Sequence, residues 1–270
     1  MLGDDRGWSA IKDGTLNLSY KNQTIAAQMI VVSDMHLEDS VGTKAKAFFR
    51  LIDSLDKKTL EYFVLNGDIF DFCLGNHPYF QKKFRAIGSA LTKLAHSGVT
   101  VVYIQGNHEF SHKDLGWEGV QFVSKATFQA SLKSGVKLAF THGDNFNAKW
   151  HYLIYKQLIN LPITLSIASL VPGKLLDQLS LFLAQLSRKN SSNQLLRKEP
   201  VLTAANAWLD KTGAQHGVFG HFHTPLSEKR WTKVGQLLSL SSWDEVPNFL
   251  SFAQGSFSRV HIDSCGFNEV

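Results

Sequence analysis

Short β-branched apolar runs alternate with helically spaced apolar residues over the first hundred or so positions. Residues 26–32 (AAQMIVV) form one such run and stop at Ser33-Asp34. Residues 45–55 (AKAFFRLIDSL) carry apolar side chains at helical spacing, and residues 62–65 form a second run that ends in Asn66-Gly67-Asp68. Residues 80–96 read as one helix, with Phe84, Ile87, Leu91 and Leu94 on one face and Gly98 as its stop. Residues 99–104 give a third strand, closed by Gly106-Asn107-His108. Strand, helix, strand, helix, strand is the rhythm of a layered α/β fold.

The second half is richer in strands. Runs at 120–123, 127–132, 137–140 and 216–219 read as strands, 236–241 and 250–260 as a final pair or trio of strands, and 204–211 as a helix closed by Gly213. Between these runs lies a helical and unusually apolar stretch, about 145–197, broken by Pro162 and Pro172-Gly173 into three helices. It reads as a cap inserted into a single domain spanning 1–270. Its apolar residues suit either ordinary helix packing or a slot for acyl chains. Arg188, Asn190 and Lys198, in its basic exit, are candidate substrate-binding residues or part of a solvated loop.

Composition narrows the class only a little. The chain has 44% hydrophobic and 19% charged residues, enough for a real core, and a net charge of +5 that suits an anionic partner. Two cysteines without C-x-x-C spacing indicate no disulfide framework. The N-terminal MLGDDRGWSAIKDG lacks the basic-then-apolar pattern of a secretory signal, so the expected location is cytoplasmic. No long basic groove with interleaved aromatics is visible, and no nucleic-acid partner is expected.

The informative residues stand at the ends of the strands. Asp34-x-His36, Asp68 with Asp71, Asn107-His108, His142 and His221-x-His223 each follow an apolar run. Strand ends of an α/β sheet converge at one edge, where such folds bind ligands. Two aspartates brought together there would repel, and burying a lone carboxylate is costly. Divalent cations remove the conflict. Mixed carboxylate, imidazole and amide donors suit Mn²⁺, Fe²⁺ or Zn²⁺ better than Mg²⁺ or Ca²⁺, and the number of donors suits two ions sharing a carboxylate.

The ordered set DMH (34–36), GDIFD (67–71), GNHE (106–109), THGD (141–144) and GHFH (220–223) resembles the calcineurin-like metallophosphoesterase superfamily. The resemblance implies a four-layer α/β/β/α sandwich and a hydrolase with two divalent ions, Mn²⁺ first, with Fe²⁺ or Zn²⁺ as alternatives. It implies that Asp34, His36 and His223 hold one ion, that Asp68 bridges, and that Asn107, His142 and His221 hold the other. His108 takes the position that contacts the phosphoryl group and protonates the leaving oxygen. Asp71, Glu109 and Asp144 are candidates for orienting the ligands, with Asp71 equally readable as a loop carboxylate. The cap after H-G-D is similar to the UDP-2,3-diacylglucosamine pyrophosphohydrolase branch, which acts in lipid A synthesis at the cytoplasmic face of the inner membrane. That likeness implies a lipid-linked UDP-sugar cleaved to UMP and 2,3-diacylglucosamine 1-phosphate by a peripheral membrane enzyme. At G-N-H-E the chain keeps the general superfamily form, where that branch carries arginine then aspartate. A broader phosphomonoesterase or phosphodiesterase and a non-catalytic scaffold of the same fold are the alternatives.

Overall fold

The computed structural model describes residues 24–124, 126–146, 148, 150–191, 198–223, 227–229, 235–263 and 266–269. The first half runs β1 (Met29–Val32), α1 (Thr43–Asp53), β2 (Tyr62–Asn66), β3 (Cys73–Leu74), α2 (Pro78–Lys83), α3 (Arg85–His96), β4 (Thr100–Ile104), β5 (Glu109–Phe110), a 3-10 turn at His112–Leu115 and β6 (Val120–Val123). The second half runs β7 (Phe128–Ser131), β8 (Lys137–Thr141), α4 (Trp150–Ile159), α5 (Pro162–Ala168), α6 (Gly173–Ser191), α7 (Lys198–Thr212), β9 (His216–Phe219), β10 (Ser227–Lys229), β11 (Gln236–Ser239), β12 (Asn248–Ala253), β13 (Ser256–Ile262) and β14 (Phe267–Glu269).

Two sheets carry the fold. A seven-stranded sheet has the order β14-β13-β12-β1-β2-β4-β6, with β1, β2, β4 and β6 parallel. A five-stranded sheet has the order β10-β11-β9-β8-β7, with β8, β9 and β11 parallel. Strand parity sorts the side chains into layers, because successive residues face opposite sides. Met29, Val31, Val64, Val102 and Ile104 pack with Leu138, Phe140, Val218 and Leu238 between the two sheets. Their neighbours Ile30, Val32, Phe63, Leu65, Val101 and Tyr103 pack against Phe48, Leu51, Ile87 and Leu91 of α1 and α3. On the far side, Ala139, Phe219 and Leu237 meet Val201, Ala205 and Leu209 of α7. The result is the expected α/β/β/α sandwich. Both faces of the parallel strands are covered, which is why they read as unbroken apolar runs.

The structure corrects two boundaries and decides the final pair or trio of strands as a trio. The helix read over 80–96 is two helices, separated at Phe84 (φ −104°, ψ 12°). Phe84 is fully buried and stacks on Phe70 with ring centroids 3.7 Å apart, and that packing breaks the helix without breaking its apolar stripe. The run at 250–260 is a hairpin, β12 and β13, paired Ala253 to Ser256. The helix read from 204 begins at Lys198, with Pro200 in its first turn, where the missing N–H has no helical partner to lose.

Helices α4–α6 lie between β8 and β9 in the chain, and Pro162 starts α5 as its first residue. Among the described residues thirteen large apolar side chains are exposed, and all but Val41 and Val246 fall between 150 and 182. α5 buries no residue. Ordinary core packing therefore does not account for this face. No described helix is long and apolar enough to cross a membrane.

Candidate metal centre

The loops after β1, β2, β4, β8 and β9 meet at one edge of the sandwich. The first two are zipped together: the amides of Asp34, His36 and Leu37 donate to the carbonyls of Gly67, Asp68 and Ile69 at 3.1, 3.1 and 2.9 Å. Asn66 ties the two sheets at the same level, its Nδ2 donating to the Thr141 carbonyl at 2.9 Å. Seven described non-glycine residues have positive φ. Five of them are Asp34 (50°), His36 (48°), Asp68 (51°), His221 (70°) and His223 (55°). Left-handed backbone at such residues costs about 1 kcal/mol or more each, and it persists where function requires the geometry. The motif glycines admit the close approach. A Cβ on Gly67 (φ 85°) would lie 2.5 Å from the His142 ring, and one on Gly220 would lie 2.5 Å from Asp34 Oδ2.

Two clusters of donor atoms result. Asp34, His36 and His223 form one and Asp68, His142 and His221 the other; in each, the candidate ligand atoms lie within 4.8 Å of one another. Asp34, His36, Asp68 and His142 are 3% exposed or less, whereas His223 opens to solvent. In the first cluster His36 Nε2 and His223 Nε2 face each other at 3.2 Å, and His223 Nε2 is 3.4 Å from Asp34 Oδ1. Asp71 Oδ1 lies 3.4 Å from His36 Nδ1. A proton on that Nδ1 leaves the Nε2 lone pair facing the cluster. Asp34 is itself oriented by the Ser33 hydroxyl at 2.6 Å and the His221 amide at 2.9 Å.

The second cluster shows the same logic. His142 Nδ1 donates to the Asn66 carbonyl at 3.1 Å, which leaves Nε2 as an acceptor 2.9 Å from Asn107 Oδ1 and 3.2 Å from Asp68 Oδ2. A positive charge among these atoms, a proton on Nε2 or a metal ion, satisfies all three. Burial opposes a charge on the His142 ring, yet Asp68, Asp34 and Asp144 outweigh it and push the ring up to about 10. Burial, reinforced by His142, pushes His221 down to about 4. The pocket demands cationic charge while keeping a neutral imidazole ready to donate electrons. These donor sets therefore fit divalent cations.

His108 sits at the rim. Its Nδ1 donates to the Asp71 carbonyl at 2.7 Å, its amide donates to Asp68 Oδ1 at 3.0 Å, and its Nε2 is 3.8 Å from Asp68 Oδ2. Burial disfavours its charged form, but Asp68 raises the ring's pKa overall, so it holds a proton more readily than a free imidazole. Glu109 is fully buried and accepts from four amides: Gly106 at 2.8, Asp68 at 3.0, Ile69 at 2.5 and Phe70 at 3.2 Å. It braces the turn that carries Asp68 and joins it to the loop of Asn107 and His108. Asp144 instead holds α4, accepting from Tyr152 at 3.0 Å and Lys156 at 2.5 Å. Arg188 and Asn190 fall in α6 and Lys198 opens α7, but their side chains lie outside the described residues.

Sequence reasoning passed over Ser33, Asn66 and Trp243. Ser33 and Asn66 stand one and two positions before the motif aspartates, and that adjacency was the available signal. Trp243 gave none: its amide donates to the Asp34 carbonyl at 3.0 Å from more than two hundred positions away.

The strand-end arrangement and the two donor clusters define a metal-dependent phosphoesterase. Calcineurin-like phosphoesterase is the family that matches residues 28–225, and the chain belongs to it. Its relatives include the UDP-2,3-diacylglucosamine hydrolase of Pseudomonas entomophila, 23% identical over 80% of this chain and 91% of that one. The enzyme of the same name from Pseudomonas fluorescens SBW25 is 24% identical over 87% and 95%. Among solved structures, Vps29 of Entamoeba histolytica complexed with Zn²⁺ matches with a TM-score of 0.44 and 10% identity, covering 90% of this chain and 96% of that one.

Proposed function

We propose that the protein hydrolyses the diphosphate of UDP-2,3-diacylglucosamine, releasing UMP and 2,3-diacylglucosamine 1-phosphate, and works as a peripheral protein at the cytoplasmic face of the inner membrane. Asp34, His36 and His223 would hold one cation and Asn107, His142 and His221 the other, with Asp68 serving both; Mn²⁺ is the expected metal. When bound, the ions supply Lewis acidity to the phosphoryl oxygens and lower the pKa of water. The chain's own residues do the rest. Asn66 accepts from His142 Nδ1, and the Asp71 carboxylate, 3.4 Å from His36 Nδ1, favours a proton there by its charge, so that each ring presents its Nε2 lone pair. Glu109 keeps the Asp68 turn from relaxing. His108, anchored through Nδ1, donates the proton on Nε2 to the leaving oxygen.

The observation that carries the lipid substrate is the exposed apolar face of α4–α6. Ile163, Ile167, Leu170 and Phe182 are 67%, 61%, 84% and 57% exposed, and α4 is tied to the site through Asp144. Each methylene of an acyl chain buried there contributes about 0.8 kcal/mol. The test compares UDP-2,3-diacylglucosamine, a UDP-sugar without tails and bis-p-nitrophenyl phosphate, each with Mn²⁺. The lipid compound is expected to be cleaved at least about 100-fold more efficiently than either tailless one, which corresponds to roughly 3 kcal/mol of acyl burial. Equal efficiencies would refute the lipid assignment. His108, standing where the lipid A branch carries arginine, favours a second reading: a phosphoesterase acting on another lipid-linked or nucleotide phosphate, because histidine cannot clamp a diphosphate bidentately.

A further inference from the structure

A cavity of about 770 Å³ opens beside the second donor cluster, between the sandwich and helices α4 and α5. It shares His142 with that cluster, and Asp34, His36 and His223 take no part in its wall. Its lining contrasts with the outer face of the same helices. Five carboxamides contribute to it: Asn76, Gln105, Asn145, Gln157 and Asn160. Its lysine from α4, Lys156, is already paired with Asp144. The walls therefore offer many donors and acceptors, with Lys113 and Asp114 adding one charge of each sign, and Leu153, Pro162 and Leu165 add flat apolar surface. Such a site suits a neutral ring carrying both donors and acceptors better than an acyl chain, which would strand those amides.

Two details show capacity left over. Gln105 Nε2 donates to the Glu109 carbonyl at 2.8 Å and to Asn160 Oδ1 at 3.3 Å, which uses both of its hydrogens and orients the amide. The Asn160 Nδ2 is held by the Lys156 carbonyl at 2.8 Å. This pair is pre-set by its neighbours and needs no reordering to read a ligand. Asn76 Oδ1 is buried and has no hydrogen-bond donor among the described residues. A carboxamide puts one acceptor beside one donor, which matches half of an imide edge, a ring N–H flanked by carbonyls.

We infer that this cavity seats the nucleobase of a nucleoside diphosphate-linked substrate, reading the imide edge of uracil through Asn76, Gln105 and Asn160. The inference rests on the proposed UDP-linked substrate and assigns its two ends: the base to the amide-lined cavity, the acyl chains to the outer apolar face of α4–α6.

Calorimetric titration of the Mn²⁺-loaded protein with UMP, CMP, AMP and ribose 5-phosphate tests it without reference to turnover. UMP is expected to bind at least about tenfold more tightly than ribose 5-phosphate, the worth of one good neutral hydrogen-bond pair. CMP, with an amino group in place of one imide carbonyl, and AMP, with a larger ring and no imide, are expected to fall below UMP. Asn76→Leu and Asn160→Leu should each erase most of the UMP margin and leave ribose 5-phosphate binding unchanged. Equal binding of UMP and ribose 5-phosphate by the unaltered protein overturns the inference even if both variants fail to fold. A protein that prefers UMP yet does not cleave the diacyl compound loses the lipid assignment and keeps this one.

Discussion

The strand-end loops and the α4–α6 helices are built on opposite terms. In the loops the aspartates and Glu109 are buried and many polar groups are engaged: Glu109 accepts four amides, Ser33 donates to Asp34, and Asn66 accepts from His142. In α4–α6 large apolar side chains stand in solvent, while Leu165, Ala168 and Leu176 pack on the core and polar contacts from Tyr152, Lys156 and Asp177 add to the hold. The loops store strain that packing over-determines. The helices leave apolar surface that some ligand or surface must cover. The proposed function gives chemistry to the first region and the choice of substrate to the second.

Substitutions in the loops should therefore damage every substrate alike. Asp68→Ala carries the largest expected loss, about 10³-fold or more in kcat/KM on any phosphate compound, with bound metal falling by elemental analysis. His108→Ala should lose about 10²-fold in kcat at nearly unchanged metal content. If the His108 variant emerged depleted of both ions, its role as proton donor would be wrong. Next comes Glu109→Ala, which strands four buried amide donors. We expect metal affinity to drop about 10- to 100-fold and unfolding to come at lower denaturant concentration. Unaltered metal affinity would mean that the Asp68 turn holds its shape without the brace.

The same division governs what could be read from the sequence. Periodic signals were legible: β1, β2, β4 and β9 lie where the apolar runs end, and each run stops at a polar motif because the strand ends there at the sheet edge. The helix at 80–96 misled because an apolar stripe records which side faces inward and not whether the backbone continues, and Phe84 satisfies the stripe while leaving the helix. In the centre, the motif residues were visible one by one, but the bracing was not. Glu109 could be named as an orienting residue, whereas its four partners are backbone amides, which carry no residue identity. Asp144 could be named from its neighbour His142, and its charge does act on the His142 and His221 rings, but its bonds to Tyr152 and Lys156 of α4 left no mark in the sequence. For α4–α6, leucine at helical spacing fits a core and an exposed face equally well, and only the placement of neighbours separates them.

Substitutions in the helices should split the substrates instead. Leu179→Ser combined with Phe182→Ser removes apolar surface that is half or more exposed, so stability should change little. KM for the diacyl compound is expected to rise about tenfold, while bis-p-nitrophenyl phosphate turnover stays within about twofold. Equal effects on both would erase the distinction between the two regions.

The smallest expected effect tests what holds α6 in place. Asp177 accepts from Lys83 Nζ through both oxygens, at 2.6 and 2.7 Å, and from the Tyr79 hydroxyl at 2.9 Å. Gly173, one turn earlier, packs so close to Tyr79 that a Cβ would lie 2.3 Å from it. The ion pair is partly solvated, so Asp177→Asn should cost about 1 kcal/mol or less globally. Its effect should be local: amide hydrogen exchange is expected to quicken in 173–180 and in α2, with β1, β2 and β4 unchanged. Exchange that quickened equally in the strands would show α6 to be part of one cooperative unit with the sandwich. Exchange confined to α6 and α2 would show that the apolar helices can open while the cation loops stay formed, the mechanical counterpart of dividing substrate choice from chemistry.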